Sequence, residues 1–208
     1  MKRILIPAAV VAVAAAFVLV NFSTPMAAGD AKVGSAAPDF TLTDTNGNSV
    51  TLSDYSGKYV VLEWINYDCP FVAKHYDAKN MQGLQDKYRE QGVVWLAVNS
   101  SAEGKQGQFS NEEIHSRLKK HASTVDAYLL DGNGDVGRAY GATHTPHMYI
   151  INPEGTLIYM GAIDSINSAN IADIPKADNY VVMALDAAFA GNEVPVEMTR
   201  AYGCTVKY

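Results

Sequence analysis

The sequence predicts an α/β protein, a sheet with helices on both faces. Three features lead there. A β-rich run at 59–65, helical spacing over 70–91 and a second apolar run at 93–98 make a βαβ unit. A later pair of short apolar runs brackets a turn. A last helical segment follows near the C-terminus.

Taken in order, Phe40-Thr41-Leu42 and Ser49-Val50-Thr51-Leu52 flank Asn46-Gly47, a strong hairpin signal. Tyr59 to Ile65 (YVVLEWI) reads as a strand. Pro70 to Gln91 reads as one helix, with Met81, Leu84 and Tyr88 on one face and Gly92 as its stop. The continuous apolar run VVWLAV, from Val93 to Val98, suggests a strand buried on both faces. Ser110 and Glu113 form a capping box, and Ile114 and Leu118 mark the face of the helix that follows. Ala127 to Leu130 is a short strand, and Val136 to Tyr140 a short helix. His147 to Ile151 and Leu157 to Met160 are strands joined by the turn Asn152-Pro153-Glu154-Gly155. Tyr180 to Ala190 is a helix closed by Gly191. Residues 192–208 show neither period.

Composition bounds the function. The chain has 208 residues, is 48 % hydrophobic and carries a formal net charge of −6. It is too apolar for a disordered protein and long enough to bury a real core. Net negative charge argues against nucleic acid as the main partner. Two cysteines exclude a disulfide-dense scaffold and a four-thiolate zinc site.

Residues 1–28 read as a secretory signal peptide. Lys2 and Arg3 precede an apolar run from Ile4 to Val20 and a small-residue exit at Ala27-Ala28-Gly29. The run just reaches the lower limit for a membrane span, so an uncleaved anchor is the minor alternative. Membrane contact is expected only in that case. The mature part, 29–208 with its tail 192–208, is expected to be one domain outside the cytoplasm, in a bacterial periplasm or secreted. Thiols there can form lasting disulfides, so the two cysteines are asked first whether they pair.

The strand-to-helix junction Glu63-Trp64-Ile65-Asn66-Tyr67-Asp68-Cys69-Pro70-Phe71-Val72 carries the chemistry. Proline is favoured at the first helical position, which puts Cys69 at the N-cap. Free amides and the helix dipole there favour a thiolate, the reactive form in exchange and in peroxide attack. Lys74 and His75 are expected to add positive potential. The plain alternative is a small buried apolar cysteine. The place at a junction favours the reactive reading.

These residues resemble the thioredoxin-fold redoxins, the AhpC/TSA-like superfamily of thioredoxins, tethered thiol-disulfide reductases and peroxiredoxins. Val33 to Leu42 (VGSAAPDFTL) is similar to the redoxin opening strand, and VVLEWINYDCP to the central strand and active-site turn. Thr145-Pro146 followed by HMYIINPEG is similar to the cis-proline loop and next strand. A lone cysteine in a CPFV context and the tail Tyr202 to Tyr208 (YGCTVKY) resemble a peroxiredoxin-like subgroup. The resemblance spans roughly 33–208. It implies a thioredoxin-like fold, a central mixed β-sheet flanked by helices, with an N-terminal hairpin and a C-terminal tail. The chain also departs from these relatives. Val72 stands where thioredoxins carry their second cysteine. Asn66 stands where peroxiredoxins carry Thr or Ser, and their activating Arg is missing near Thr145 and Pro146.

The resemblance implies a catalytic set of Cys69, Cys204 and Glu63, with Thr145 and Pro146 as substrate-binding residues. A folded-back tail would let Cys204 resolve intermediates on Cys69. A permanent structural disulfide is an equal alternative, worth up to about 5 kcal/mol in the chain-entropy model. Pairing with another chain is a third. Thioredoxins have a buried acid matching Glu63 that moves protons to and from the thiols. From its position alone, a partly exposed sheet carboxylate is the preferred reading. Pro146, if cis, exposes Thr145 for strand-like contact with a substrate; otherwise it is a rigid turn.

His75, His144 and His147 with two cysteines invite a copper or zinc reading, but no compact ligand spacing appears, and no metal or other cofactor is expected. Asp131-Gly132-Asn133-Gly134-Asp135 resembles the start of a calcium loop. It fails at position six (Val136) and position twelve (Ala142), so it reads as a turn into the next helix. The expected activity is thiol-disulfide exchange with protein or small-molecule thiols and disulfides, restored by an external thiol donor. Peroxide reduction is the alternative within enzymes. A non-catalytic module, a metal carrier or a stapled interaction domain, is the alternative outside them.

Overall fold

The computed structural model describes residues 31–208, so the targeting segment read at 1–28 lies outside the described residues. The elements are β1 (Thr41–Asp44), β2 (Ser49–Thr51), β3 (Val60–Trp64), α1 (Pro70–Asp77), α2 (Asn80–Arg89) and β4 (Val94–Asn99). Then come α3 (Asn111–Lys120), β5 (Ala127–Leu130), α4 (Asp135–Ala139), β6 (His144–Thr145), β7 (His147–Ile151), β8 (Leu157–Gly161), α5 (Tyr180–Phe189) and β9 (Cys204–Thr205). Short 3-10 helices cover Leu52–Tyr55 and Ile171–Lys176.

Seven strands make one mixed sheet in the order β2-β1-β5-β4-β3-β7-β8. β3 runs parallel to β4, and β4 to β5. β7 lies antiparallel beside β3, pairing Glu63 with Met148 and Trp64 with His147. All residues of β3, β4 and β7 are buried, which is why these segments read as apolar runs rather than alternations. The core lies on both faces. Val61, Trp95 and Ile150 pack under α1, α2, α3 and α5; Leu62, Trp64, Leu96 and Tyr149 pack under α4 and Phe40. This is a thioredoxin-like α/β fold. Among the described residues no helix is long and apolar enough to cross a membrane.

The N-terminal hairpin forms as its turn signal predicts. Asp44 Oδ1 accepts the amides of Asn46 and Asn48, each at 2.8 Å, and Gly47 takes φ +85°. Ser110 caps α3 through a 3.3 Å bond from the Glu113 amide. The predicted single helix over 70–91 is instead two. Lys79 takes φ +58°, a left-handed conformation that costs a non-glycine residue about 1–2 kcal/mol. At the break Tyr76 O accepts the Lys79 amide at 3.0 Å and Gln82 Nε2 at 2.9 Å. The unpatterned tail also holds a strand. β9 pairs antiparallel with β6 in a separate two-stranded sheet, matching Thr145 with Cys204.

Candidate functional site

β3 ends at Trp64, and the chain turns over Asn66 before α1 begins. Asn66 Oδ1 accepts the Asp68 amide at 2.9 Å, and Asn66 O accepts the Cys69 amide at 3.0 Å. Pro70 opens α1 and Cys69 is its N-cap, with φ −84° and ψ 122°. The cysteine's own carbonyl accepts the amides of Val72 and Ala73 at 3.0 and 2.9 Å. Its thiol therefore lies at the positive end of the helix dipole.

Three chain segments meet at that sulfur. Cys69 Sγ donates to Thr145 O at 3.1 Å, beside the cis Thr145–Pro146 peptide. The Cys204 backbone N–H points at Cys69 Sγ at 3.4 Å, across 135 residues of sequence. Gly203 is required at this crossing. Its φ is +122°, and a Cβ there would lie 2.1 Å from Thr145 O. Cys69 has no exposed surface, because the tail lies across it, while Cys204 is half-buried. Both cysteines are free thiols here. Burial and the adjacent Cys69 sulfur push the Cys204 thiol up to about 12, so Cys204 holds its proton at neutral pH.

Glu63 lies beneath this junction. The partly exposed sheet position preferred from sequence is wrong, because Glu63 has no exposed surface. It accepts from Tyr76 Oη at 2.9 Å, Trp95 Nε1 at 2.9 Å and Gln85 Nε2 at 3.3 Å. Burial pushes its carboxyl up to about 7, and the three donors pull only partly against that. It makes no hydrogen bond to either cysteine among the described residues. Tyr76, Gln85 and Trp95 were not singled out from sequence. They come from α1, α2 and β4, and nothing local to any of them signals a shared acid.

The positive potential expected from Lys74 and His75 is not delivered. His75 is fully buried, which pulls its imidazole down to about 4 and leaves it neutral at pH 7. Lys74, also buried, is paired with Asp164 Oδ2 at 3.1 Å. That carboxylate also receives the Tyr202 phenol on its other oxygen. His147 is buried against Tyr149, with ring centroids 4.5 Å apart, and desolvation holds it near 3. His144 lies on β6. Among the described residues no three His, Cys, Asp or Glu side chains group as a metal site. Asp131 serves the start of α4, accepting the Val136 and Gly137 amides at 3.2 and 2.8 Å.

Known proteins resemble this chain in sequence and fold. Over 125 residues the chain is 32 % identical to the thiol-disulfide oxidoreductase ResA of Bacillus subtilis, covering 60 % of this chain and 64 % of ResA. An uncharacterized conserved protein from Geobacillus kaustophilus superposes with a TM-score of 0.75 at 30 % identity, covering 85 % of this chain and 92 % of that one. A hypothetical protein from Sinorhizobium meliloti superposes at 0.71 and 26 % identity, covering 87 % of this chain and 97 % of its own. Residues 33–160, from the opening strand through the Cys69 turn and the cis-proline loop to β8, match the AhpC/TSA family. The chain belongs to the AhpC/TSA family.

Proposed function

We propose that the chain is a thiol-disulfide oxidoreductase in which Cys69 is the nucleophile and Cys204 the resolving cysteine. One observation carries the reading: the Cys204 N–H sits 3.4 Å from Cys69 Sγ. The likeness to ResA supports the reaction class. The Cys69 thiolate attacks one sulfur of a substrate disulfide, and the other substrate sulfur leaves as a thiolate. This gives a mixed disulfide. Forming that bond removes the charge on Cys69 that opposed ionisation of Cys204. Cys204 then loses its proton, attacks Cys69 and expels the second substrate thiol. The substrate has gained two electrons, and the enzyme holds a Cys69–Cys204 disulfide. An external thiol donor reduces it.

Glu63, titrating near neutrality, is the buried group suited to take up or release a proton in these steps. Thr145 and Pro146 offer an extended substrate a backbone edge, which β9 occupies in this structure. Cys69 is fully covered, so substrate enters when the tail lifts. The segment 1–28 supports export, and the working site lies in an oxidising compartment.

Cys69→Ser is expected to abolish reduction of a model protein disulfide while leaving the fold intact. Cys204→Ser is expected to accumulate a covalent enzyme–substrate species. Full activity of the Cys204→Ser protein without that species would refute the resolving role. Consumption of hydrogen peroxide by the reduced protein, lost in Cys69→Ser, would move the assignment to peroxide reduction. A one-to-one copper complex lost on changing either cysteine would move it to a carrier.

A further inference from the structure

The tail is held over Cys69 by more than β-pairing. Asp164 lies just beyond β8 and is 3 % exposed. Its Oδ2 accepts Lys74 Nζ at 3.1 Å. Its Oδ1 accepts the Ile166 amide at 3.0 Å and the Tyr202 phenol. Lys74 Nζ also lies 5.9 Å over the Tyr202 ring, and the Tyr202 ring meets Phe71 edge-on at 5.8 Å. Phe71 and Lys74 belong to α1, the helix that Cys69 caps. Tyr202 stands two residues before Cys204. Both partners of the candidate disulfide are therefore tied to the same buried carboxylate.

Stability alone is a weak reason for such a cluster. A buried ion pair gives up hydration it barely recovers, and a well-packed apolar replacement is often as stable. What the charged set adds is direction. A carboxylate with three donors fixes the phenol's place, whereas apolar packing would leave the tail free to slide.

We infer that Asp164, Lys74 and Tyr202 are positioning residues, a buried anchor that holds the C-terminal strand over Cys69 and sets how readily Cys204 closes on it. The redox consequence rests on Cys204 being the resolving cysteine; the covering of Cys69 does not. With the anchor intact, the reduced tail is already docked and ring closure loses little freedom. With it broken, the tail spends time released, so the disulfide is less favoured and Cys69 more reachable.

Tyr202→Phe tests this, because it removes one oxygen and keeps the ring on Phe71. Equilibrated with reduced and oxidised glutathione, this variant is expected to shift about tenfold toward the dithiol. That corresponds to a potential about 30 mV less negative for a two-electron couple. In a Cys204→Ser background, where Cys69 is the sole thiol, Tyr202→Phe is expected to speed iodoacetamide labelling about tenfold. The faster labelling should be insensitive to low urea, as local release is. Labelling and glutathione equilibrium both within twofold of the parent would overturn the proposal. So would labelling that follows urea as steeply as global unfolding, since the phenol would then only stabilise the fold. A parent that never forms the Cys69–Cys204 disulfide would overturn the resolving role and not the anchor, which the labelling rate decides by itself.

Discussion

Replacing Glu63 with Gln should change how stability depends on pH. In the folded protein burial raises the Glu63 carboxyl from 4.5 to about 7. The folded state thus keeps a proton that the unfolded chain releases between those values. The stability linked to Glu63 is fully present below about pH 4.5 and is lost as pH rises through about 7. At 1.36 kcal/mol per unit, the loss is about 3 kcal/mol. Glu63→Gln stays neutral throughout and keeps the site bonded. Its carbonyl oxygen accepts from Trp95 and Gln85, and its amide donates to the Tyr76 oxygen. Buried His75 and His147, held near 4 and 3, act in the opposite sense, losing stability as pH falls below about 6.5. Both proteins share these histidines, so they cancel in the difference. Urea unfolding of the two proteins from about pH 4.5 to about pH 8 should show the variant gaining about 3 kcal/mol on the parent. A difference constant to within about 0.5 kcal/mol would refute the buried, proton-holding carboxylate.

Three further outcomes follow from single contacts. Gly203→Ala forces a Cβ to within 2.1 Å of Thr145 O. It should lift the tail and raise Cys69 labelling by iodoacetamide several-fold while the melting temperature changes little; unchanged labelling would contradict the close crossing. Lys74→Met leaves Asp164 buried without its cation and should destabilise by about 3–5 kcal/mol in chemical denaturation. Adding Asp164→Asn, whose oxygen still accepts from Ile166 and Tyr202, removes the stranded charge and should recover most of that loss. A double variant no more stable than the single one would count against the pair. Ser110→Ala removes the cap on α3 and should cost about 1 kcal/mol, read as a lower urea midpoint at unchanged slope.

Three departures of the structure from the local pattern share a physical cause. The apolar spacing of Pro70 to Gln91 is helical, but the residue that takes the left-handed turn is a lysine, Lys79, not a glycine. Gln82, which bonds the Tyr76 carbonyl beside the break, also donates to the His121 carbonyl, a partner from another part of the fold. Glu63 reads as partly exposed because a lone acid in a strand has no partner in its own segment. Its three donors come from α1, α2 and β4. Lys74 and His75 read as charged neighbours of the thiol. Burial neutralises one, and Asp164, 90 residues away, pairs with the other.

Local pattern was enough for the hairpin at Asn46-Gly47, the apolar runs of the central strands, the Ser110 cap and the place of Cys69 before Pro70. Each depends on backbone preferences and contacts within a few residues, which a linear pattern states directly. Packing alone decided that β9 lies against Thr145, that Gly203 is the residue at the crossing and that Tyr202 reaches Asp164. These groups become neighbours only once the sheet has brought distant segments together. No propensity within the tail encodes where it will find its partner, because the partner is made by the rest of the fold.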